Sequence, residues 1–374
     1  MTTSKLLALI TAFTLASAQA FAASPEAPAL TPQQRAEVMK TLSAKLSANY
    51  VFPDVAAQIN AALPAKVQAY GATVPAPEFA NLISKDLRAL GHDKHFRVFF
   101  DPEFREEAPD AVPSAADMER QRAEMGQLGF GLEKVQRLPG NVAYVELRGF
   151  GPPDLVGPGY AAAMTLVNGS DALILDLRRN GGGAPGAVAL WMSHFFALGD
   201  ERHLNDIYTR STDKTQQFWT TAAVSPRYSK PVYVLTSART FSGGEECAYD
   251  FQTQKRAVLV GQTTGGGANA GDRFVLGHGL VINIPTARAI NPVTQTNWEG
   301  RGGQARHRRA GRAGPADGLC GHPEDAGGPG QGPARRGPVE GTAGHGGEGR
   351  EPDAGLRNAA VIRRPRSGPG RCAA

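Results

Sequence analysis

An α/β fold is predicted for this 374-residue chain by three observations. From Phe130 onward, short apolar, β-branched runs alternate with stretches of helical spacing, the rhythm of βαβ units. Two of those runs, Ala172–Leu175 and Val232–Leu235, end in polar, glycine-rich turns. Strand ends of that kind are where α/β sheets gather their sites.

In chain order, the first element is an export signal over residues 1–22. Lys5 supplies its positive start, Leu6 to Leu15 its apolar centre and Ala20-Phe21-Ala22 its small-residue cleavage site. The apolar run is too short to span a bilayer, and no later stretch approaches about 18 apolar residues. The mature chain is therefore expected to start at Ala23 and to be periplasmic or secreted, without an integral membrane segment. A small helical domain follows over residues 23–103. Thr31 and Pro32 read as an N-cap and first helical position, with Val38, Leu42 and Leu46 at helical intervals. A second helix is expected around Val55 to Leu63. A third runs from about Glu78 to Leu90, with Phe79, Leu82, Ile83, Leu87 and Leu90 on one face. Residues 104–128 are charged and weakly patterned, as in a linker. The core, 129–300, opens with strands near Phe130–Val135 and Val142–Leu147. Trp191, Phe195 and Phe196 read as core residues of a helix rather than a specificity pocket.

The candidate nucleophile lies in PVYVLTSARTFSGGEECAYDF, residues 231–251. Val232–Leu235 is the strand, and helical spacing resumes at Cys247, Ala248 and Phe251. Ser242 stands at the mouth of that helix, in the positive end of its dipole and beside N–H groups without intrahelical partners. A serine nucleophile needs that charge stabilisation and a preformed oxyanion site. An ordinary N-cap serine would occupy the same place. Ala172-Leu-Ile-Leu-Asp176-Leu-Arg178-Arg-Asn180-Gly-Gly-Gly183 is the second such strand. Its glycines let backbone N–H groups approach a ligand where a Cβ would block the way.

Together, DLRRNGGG and TFSGGEE resemble the core of the C-terminal processing (tail-specific) serine peptidase family. Gly261-Gln-Thr-Thr-Gly-Gly-Gly267 and Asn291-Pro-Val-Thr-Gln-Thr-Asn-Trp-Glu-Gly300 extend the resemblance, which runs from about residue 31 to Gly300. It implies a crotonase-like α/β core behind a small helical N-terminal domain. One branch of the family pairs its serine with a lysine about two dozen residues later. No lysine follows Lys255 here, which excludes that pairing. The chain is more similar to the branch of tricorn protease and interphotoreceptor retinoid-binding protein, which takes a histidine from the N-terminal region. Asp93-Lys94-His95 matches its Asp-x-His segment and implies His95 as the base, a role for which a neutral imidazole is suited. On residue type alone His92 has equal claim, and Lys94 stands where that branch has a serine. The resemblance further implies Glu299 as the carboxylate behind the histidine, and Gly243 and Gly182 as oxyanion donors.

The expected activity is that of an exported serine endopeptidase acting on peptides or unfolded protein termini, with no cofactor. No pair of histidines has metal-ligand spacing, so a metallopeptidase is disfavoured. Residues 104–125 leave no room for the PDZ module that many processing peptidases insert there. Cys247, Cys320 and Cys372 give no disulfide framework. The alternative is a non-catalytic binder of an apolar, retinoid-like ligand on the same fold.

Composition changes abruptly near Gly303. Residues 301–374 hold 13 Arg, no Lys, 19 Gly and no Phe, Tyr, Trp or Met. Such a segment cannot bury enough apolar surface to offset its conformational entropy, so disorder is expected. It carries +6, against −1 for residues 1–300. The basic balance thus says nothing of nucleic-acid binding by the core, and none is expected. An arginine-rich, lysine-free tract is also what a GC-rich gene yields out of frame. With GC-leaning codons, reading one base later restores a Gly-Val-x-Pro-Asp continuation of the kind relatives show. We therefore expect a single-base frameshift near Gly302, whose product could be inactive. The rival is a genuine basic tail that binds anionic lipid or nucleic acid.

Overall fold

A computed structural model describes residues 28–71, 73–106 and 114–305. The expected signal and the tail beyond residue 305 lie outside them. The N-terminal part comprises β1 (Ala29–Leu30), α1 (Pro32–Asn49), α2 (Pro53–Gln68), β2 (Val74–Pro75), α3 (Ala76–Gly91) and β3 (Arg97–Phe100). Next come α4 (Ala115–Gln127), β4 (Leu132–Leu138), β5 (Val142–Leu147), α5 (Pro153–Val167), β6 (Ala172–Asp176) and α6 (Pro185–Ser193). The chain continues through β7 (His203–Thr209), β8 (Lys214–Trp219), β9 (Val232–Thr236), α7 (Gly243–Thr253) and β10 (Val258–Gly261). It closes with β11 (Gly271–Gly277), β12 (Leu280–Pro285) and β13 (Ala287–Ile290).

The central sheet has the order β10-β9-β6-β5-β4, parallel except where β4 runs against β5. Side chains alternate along it with the period of two that a pleated strand imposes. Val145, Leu147, Leu173, Leu175 and Val234 pack with Tyr160 of α5, Trp191 of α6 and Phe251 of α7. Val142, Tyr144, Ile174 and Leu235 form a second cluster. Trp191, Phe195 and Phe196 are core residues. The register aligns Glu146, Asp176 and Leu235 across the carboxyl ends of β5, β6 and β9. The turns that leave β6 and β9 build the site.

The N-terminal helices form for the reasons their sequences suggest. Thr31 caps α1 reciprocally: its hydroxyl accepts the Gln34 N–H at 3.2 Å, and Gln34 Oε1 accepts the Thr31 N–H at 2.9 Å. Val38, Leu42 and Leu46 are fully buried against Ile59 and Leu63 of α2 and Phe79, Ile83 and Leu87 of α3. This layer is not closed on itself. It covers Leu276, Leu280, Ile282 and Ile284 from the sheet β11-β12-β3, in which Val98 stands opposite Ile282. The helical region expected over 23–103 thus shares its core with strands nearly two hundred residues away. That pairing brings the turn between α3 and β3, which carries His95, to the rest of the site.

The stretch expected as a linker departs from that expectation, because it contributes α4. Ser114 caps this helix by accepting the Asp117 N–H at 3.1 Å. None of its residues is buried, so it shows no apolar stripe in the sequence.

Candidate active site

Ser242 links β9 to α7 with φ 52° and ψ −125°. The other serine and threonine caps are extended, Thr31 at φ −67°, ψ 160° and Ser114 at φ −65°, ψ 160°. A non-glycine residue held at positive φ with such a ψ stores about 1–3 kcal/mol of strain, and such strain persists only where the surroundings enforce it. Nucleophile serines on sharp strand-to-helix turns show this strain because it lifts the side chain clear of the sheet. Ser242 is therefore not an ordinary cap.

Two elements enforce the turn. From below, Glu245 is fully buried, and its carboxylate accepts the Ser242 N–H at 3.0 Å, the Thr264 hydroxyl at 2.5 Å and the N–H groups of Gly266 and Gly267 at 2.5 and 2.8 Å. Burial raises its pKa, while those donors pull it back down. From the side comes the triple-glycine turn after β6. A Cβ on Gly182 would lie 2.7 Å from the Ser242 Cβ, and one on Gly243 would lie 3.0 Å from the Gly183 nitrogen. Only glycine permits that approach.

Asn180, buried beneath the same turn, fixes its direction. Its Nδ2 donates to the Leu147 carbonyl at 3.0 Å, and its Oδ1 accepts the Gly182 N–H at 2.8 Å. The expectation for Gly182 is corrected on this point: its N–H is engaged with Asn180 and cannot also face an oxyanion. Among the described residues, the N–H groups of Gly183 and Gly243 have no partner, and they flank Ser242. Gly243 keeps its free N–H as the first residue of α7.

His95 lies against Phe241, the residue before Ser242, with ring centroids 4.6 Å apart. The structure does not join it to Ser242. Both ring nitrogens are buried and neither makes a hydrogen bond. Nδ1 is instead 3.5 Å from Asp93 Oδ1, outside hydrogen-bond alignment. Asp93 is itself 1% exposed and accepts the His95 N–H and the Asn269 amide, both at 2.9 Å, and the Tyr50 hydroxyl at 3.4 Å. His92 is exposed, at the left-handed end of α3, so the two histidines are not equivalent. Lys94 donates to the Gly265 carbonyl and ties the His95 turn to the glycine loop after β10.

Glu299 also reaches this group. Trp298 is buried and donates to the Gly267 carbonyl at 2.7 Å, which seats its neighbour: Glu299 Oε2 accepts the Ala268 N–H at 2.5 Å. One donor atom from each of Asp93, His95 and Glu299 lies within 4.8 Å of the others. Burial, then the Asp93 charge, pushes the Glu299 carboxyl up to about 7. Among the described residues, the remaining histidines are occupied elsewhere: His194 with the Pro226 carbonyl, His203 with Asp206, His278 with Glu37. Beside Gly182, a cavity of about 700 Å³ opens between the end of α4 and the turn after β5, lined by Met125, Leu128, Leu132, Arg148 and Phe150.

Comparison with known proteins shows the family. The model of peptidase family S41 matches residues 141–304, and that of the N-terminal domain of peptidase S41 in eukaryotic IRBP matches residues 17–128. The chain belongs to peptidase family S41. It is 30% identical over 172 residues to carboxyl-terminal-processing peptidase 1, chloroplastic, of Arabidopsis thaliana, covering 45% of this chain and 34% of that one. It is 28% identical over 186 residues to the carboxyl-terminal-processing protease of Synechocystis, covering 48% and 41%. The S41 chain thus matches well under half the length of these curated relatives. A crystal structure of a CPAF mutant shares its fold with a TM-score of 0.51 at 10% identity, covering 73% of this chain and 92% of that one. Among the described residues, no helix is long and apolar enough to cross a membrane.

Asp93, Asn180, Glu245 and Gly183 are site residues that sequence reasoning did not single out. All four lay inside quoted motifs, the only local signal available.

Proposed function

We propose that this S41 chain is an exported serine peptidase acting on peptides or unfolded protein termini, with Ser242 as nucleophile. The observation that carries the reading is the strained Ser242 turn flanked by the free N–H groups of Gly243 and Gly183. A protein that only bound an apolar ligand would have no physical need for that strain.

In this mechanism, the Ser242 oxygen attacks the peptide carbonyl while a ring nitrogen of His95 takes its proton. The carbonyl oxygen becomes an oxyanion, which Gly243 and Gly183 hold. His95 returns the proton to the leaving amine as the carbon–nitrogen bond breaks. Water, activated by the same imidazole, then hydrolyses the acyl-enzyme. Asp93 orients the ring from the Nδ1 side, and ionised Glu299 adds a second negative charge to stabilise the imidazolium. The Ser242–His95 hydrogen bond forms only with substrate bound, as is common where apo geometry is loose. The cavity beside Gly182 receives the substrate chain, and its apolar walls suit apolar side chains. Export is supported by residues 1–22, which fit a secretory signal.

A fluorophosphonate probe tests the reading. It should label the chain at Ser242 and fail to label Ser242→Ala. A folded protein that the probe never labels favours the ligand-binding alternative.

A further inference from the structure

Asp93, His95 and Glu299 have a property that proton transfer does not use. Both nitrogens of His95 and Oε1 of Glu299 are hidden from solvent and unpartnered among the described residues, which is costly for polar atoms. Two carboxyl groups flank one imidazole, with Glu245 adding its charge nearby. No lysine or arginine among the described residues pairs with Asp93 or Glu299, since Lys94 is turned to the Gly265 carbonyl. A cation is the missing partner.

We propose that these three side chains form an inhibitory site for a divalent transition ion of the zinc type. An imidazole nitrogen and two carboxylate oxygens, with water in the fourth place, make a donor set that zinc accepts. Bonds of about 2.0–2.2 Å set neighbouring donors roughly 3.4 Å apart. Donors now within 4.8 Å of one another must therefore close by an ångström or so. Asp93 is oriented by Asn269 and by the His95 N–H. Glu299 is held through Oε2 by Ala268, which leaves Oε1 for the ion. Such supporting bonds hold ligands in place around a metal.

Ion binding and serine activation exclude each other. An imidazole bound through one nitrogen keeps its proton on the other and has no lone pair for the Ser242 proton. This inhibitory consequence rests on the peptidase reading, whereas the ion site does not.

The test is a titration of the full-length chain with Co²⁺, followed by displacement with Zn²⁺. Histidines and cysteines in the tail can bind either ion, so the readout is the difference between variants. Wild type should bind one equivalent more than His95→Ala and than the near-isosteric Glu299→Gln, each confirmed folded by near-UV circular dichroism. Asn269→Ala should weaken that equivalent about 10–100-fold, and His203→Ala and His278→Ala should leave it unchanged. Excess zinc should suppress fluorophosphonate labelling of Ser242, and EDTA should restore it. Equal stoichiometry in wild type and both ligand variants overturns the site. Labelling that zinc leaves untouched, in a chain that does bind the extra equivalent, overturns the inhibition. A chain that never labels yet loses the equivalent in His95→Ala supports the ion site and counts against the peptidase reading.

Discussion

Ser242→Gly should make this protein more stable while removing its nucleophile. The backbone at residue 242 sits at φ 52° and ψ −125°, which glycine adopts without strain. Relief of about 1–3 kcal/mol is set against about 0.5–1 kcal/mol for the greater freedom glycine loses on folding. The net gain over wild type is roughly 0–2.5 kcal/mol, about 1.25 at the midpoint. In a domain of 150–250 residues, each kcal/mol moves the melting temperature by about 2–4 °C, so a rise of a few degrees is expected. Ser114→Gly at the start of α4 is the control. Ser114 is an extended cap, and the same swap there should lose a few tenths of a kcal/mol. Calorimetry and urea unfolding on both variants measure the pair. If Ser242→Gly melts at or below wild type, the turn stores no strain and the reasoning that separates Ser242 from an ordinary cap fails.

Three further outcomes are expected. His95→Ala should slow fluorophosphonate labelling by about 10²–10⁴-fold, the usual share of a general base, while His92→Ala should label at the wild-type rate. Glu299→Gln should flatten two pH profiles. A carboxyl raised from 4.5 to about 7 binds its proton more tightly in the folded state. Its stabilising contribution, at most about 3 kcal/mol, is complete below pH 4.5 and gone above about 7. Wild type should lose stability across that window and gain labelling rate as Glu299 ionises, and the variant should show less of both; slopes equal to wild type would count against the ionisation. Glu245→Gln leaves one acceptor oxygen where a carboxylate serves four donors, so denaturation should show a loss on the order of 3 kcal/mol. A loss under 1 kcal/mol would show that the clamp is not needed.

Local chemistry made part of this legible. A strand ending at a serine ahead of two glycines is a short-range pattern, as is the glycine turn after β6, so Ser242 and its surroundings stood out. What stayed hidden depends on contacts between distant segments. Asp93 is an unremarkable turn residue until Asn269, 176 positions later, and Tyr50 close on it. Glu245 looks like the third residue of a capped helix, and its hold on Gly266 and Gly267 exists only once β10 is in place. Nothing in three consecutive glycines says which N–H Asn180 will take. The sheet joining β3 to β11 and β12 spans about half of the chain, and the exposed α4 has no periodicity to announce it.

One measurement addresses the nucleophile most directly: the site and pH dependence of fluorophosphonate attachment, read by peptide mass mapping of the full-length protein. Attachment confined to Ser242, abolished in Ser242→Ala and slowed in His95→Ala, is the expected result. Attachment to another residue, or an unchanged rate without the imidazole, would contradict it.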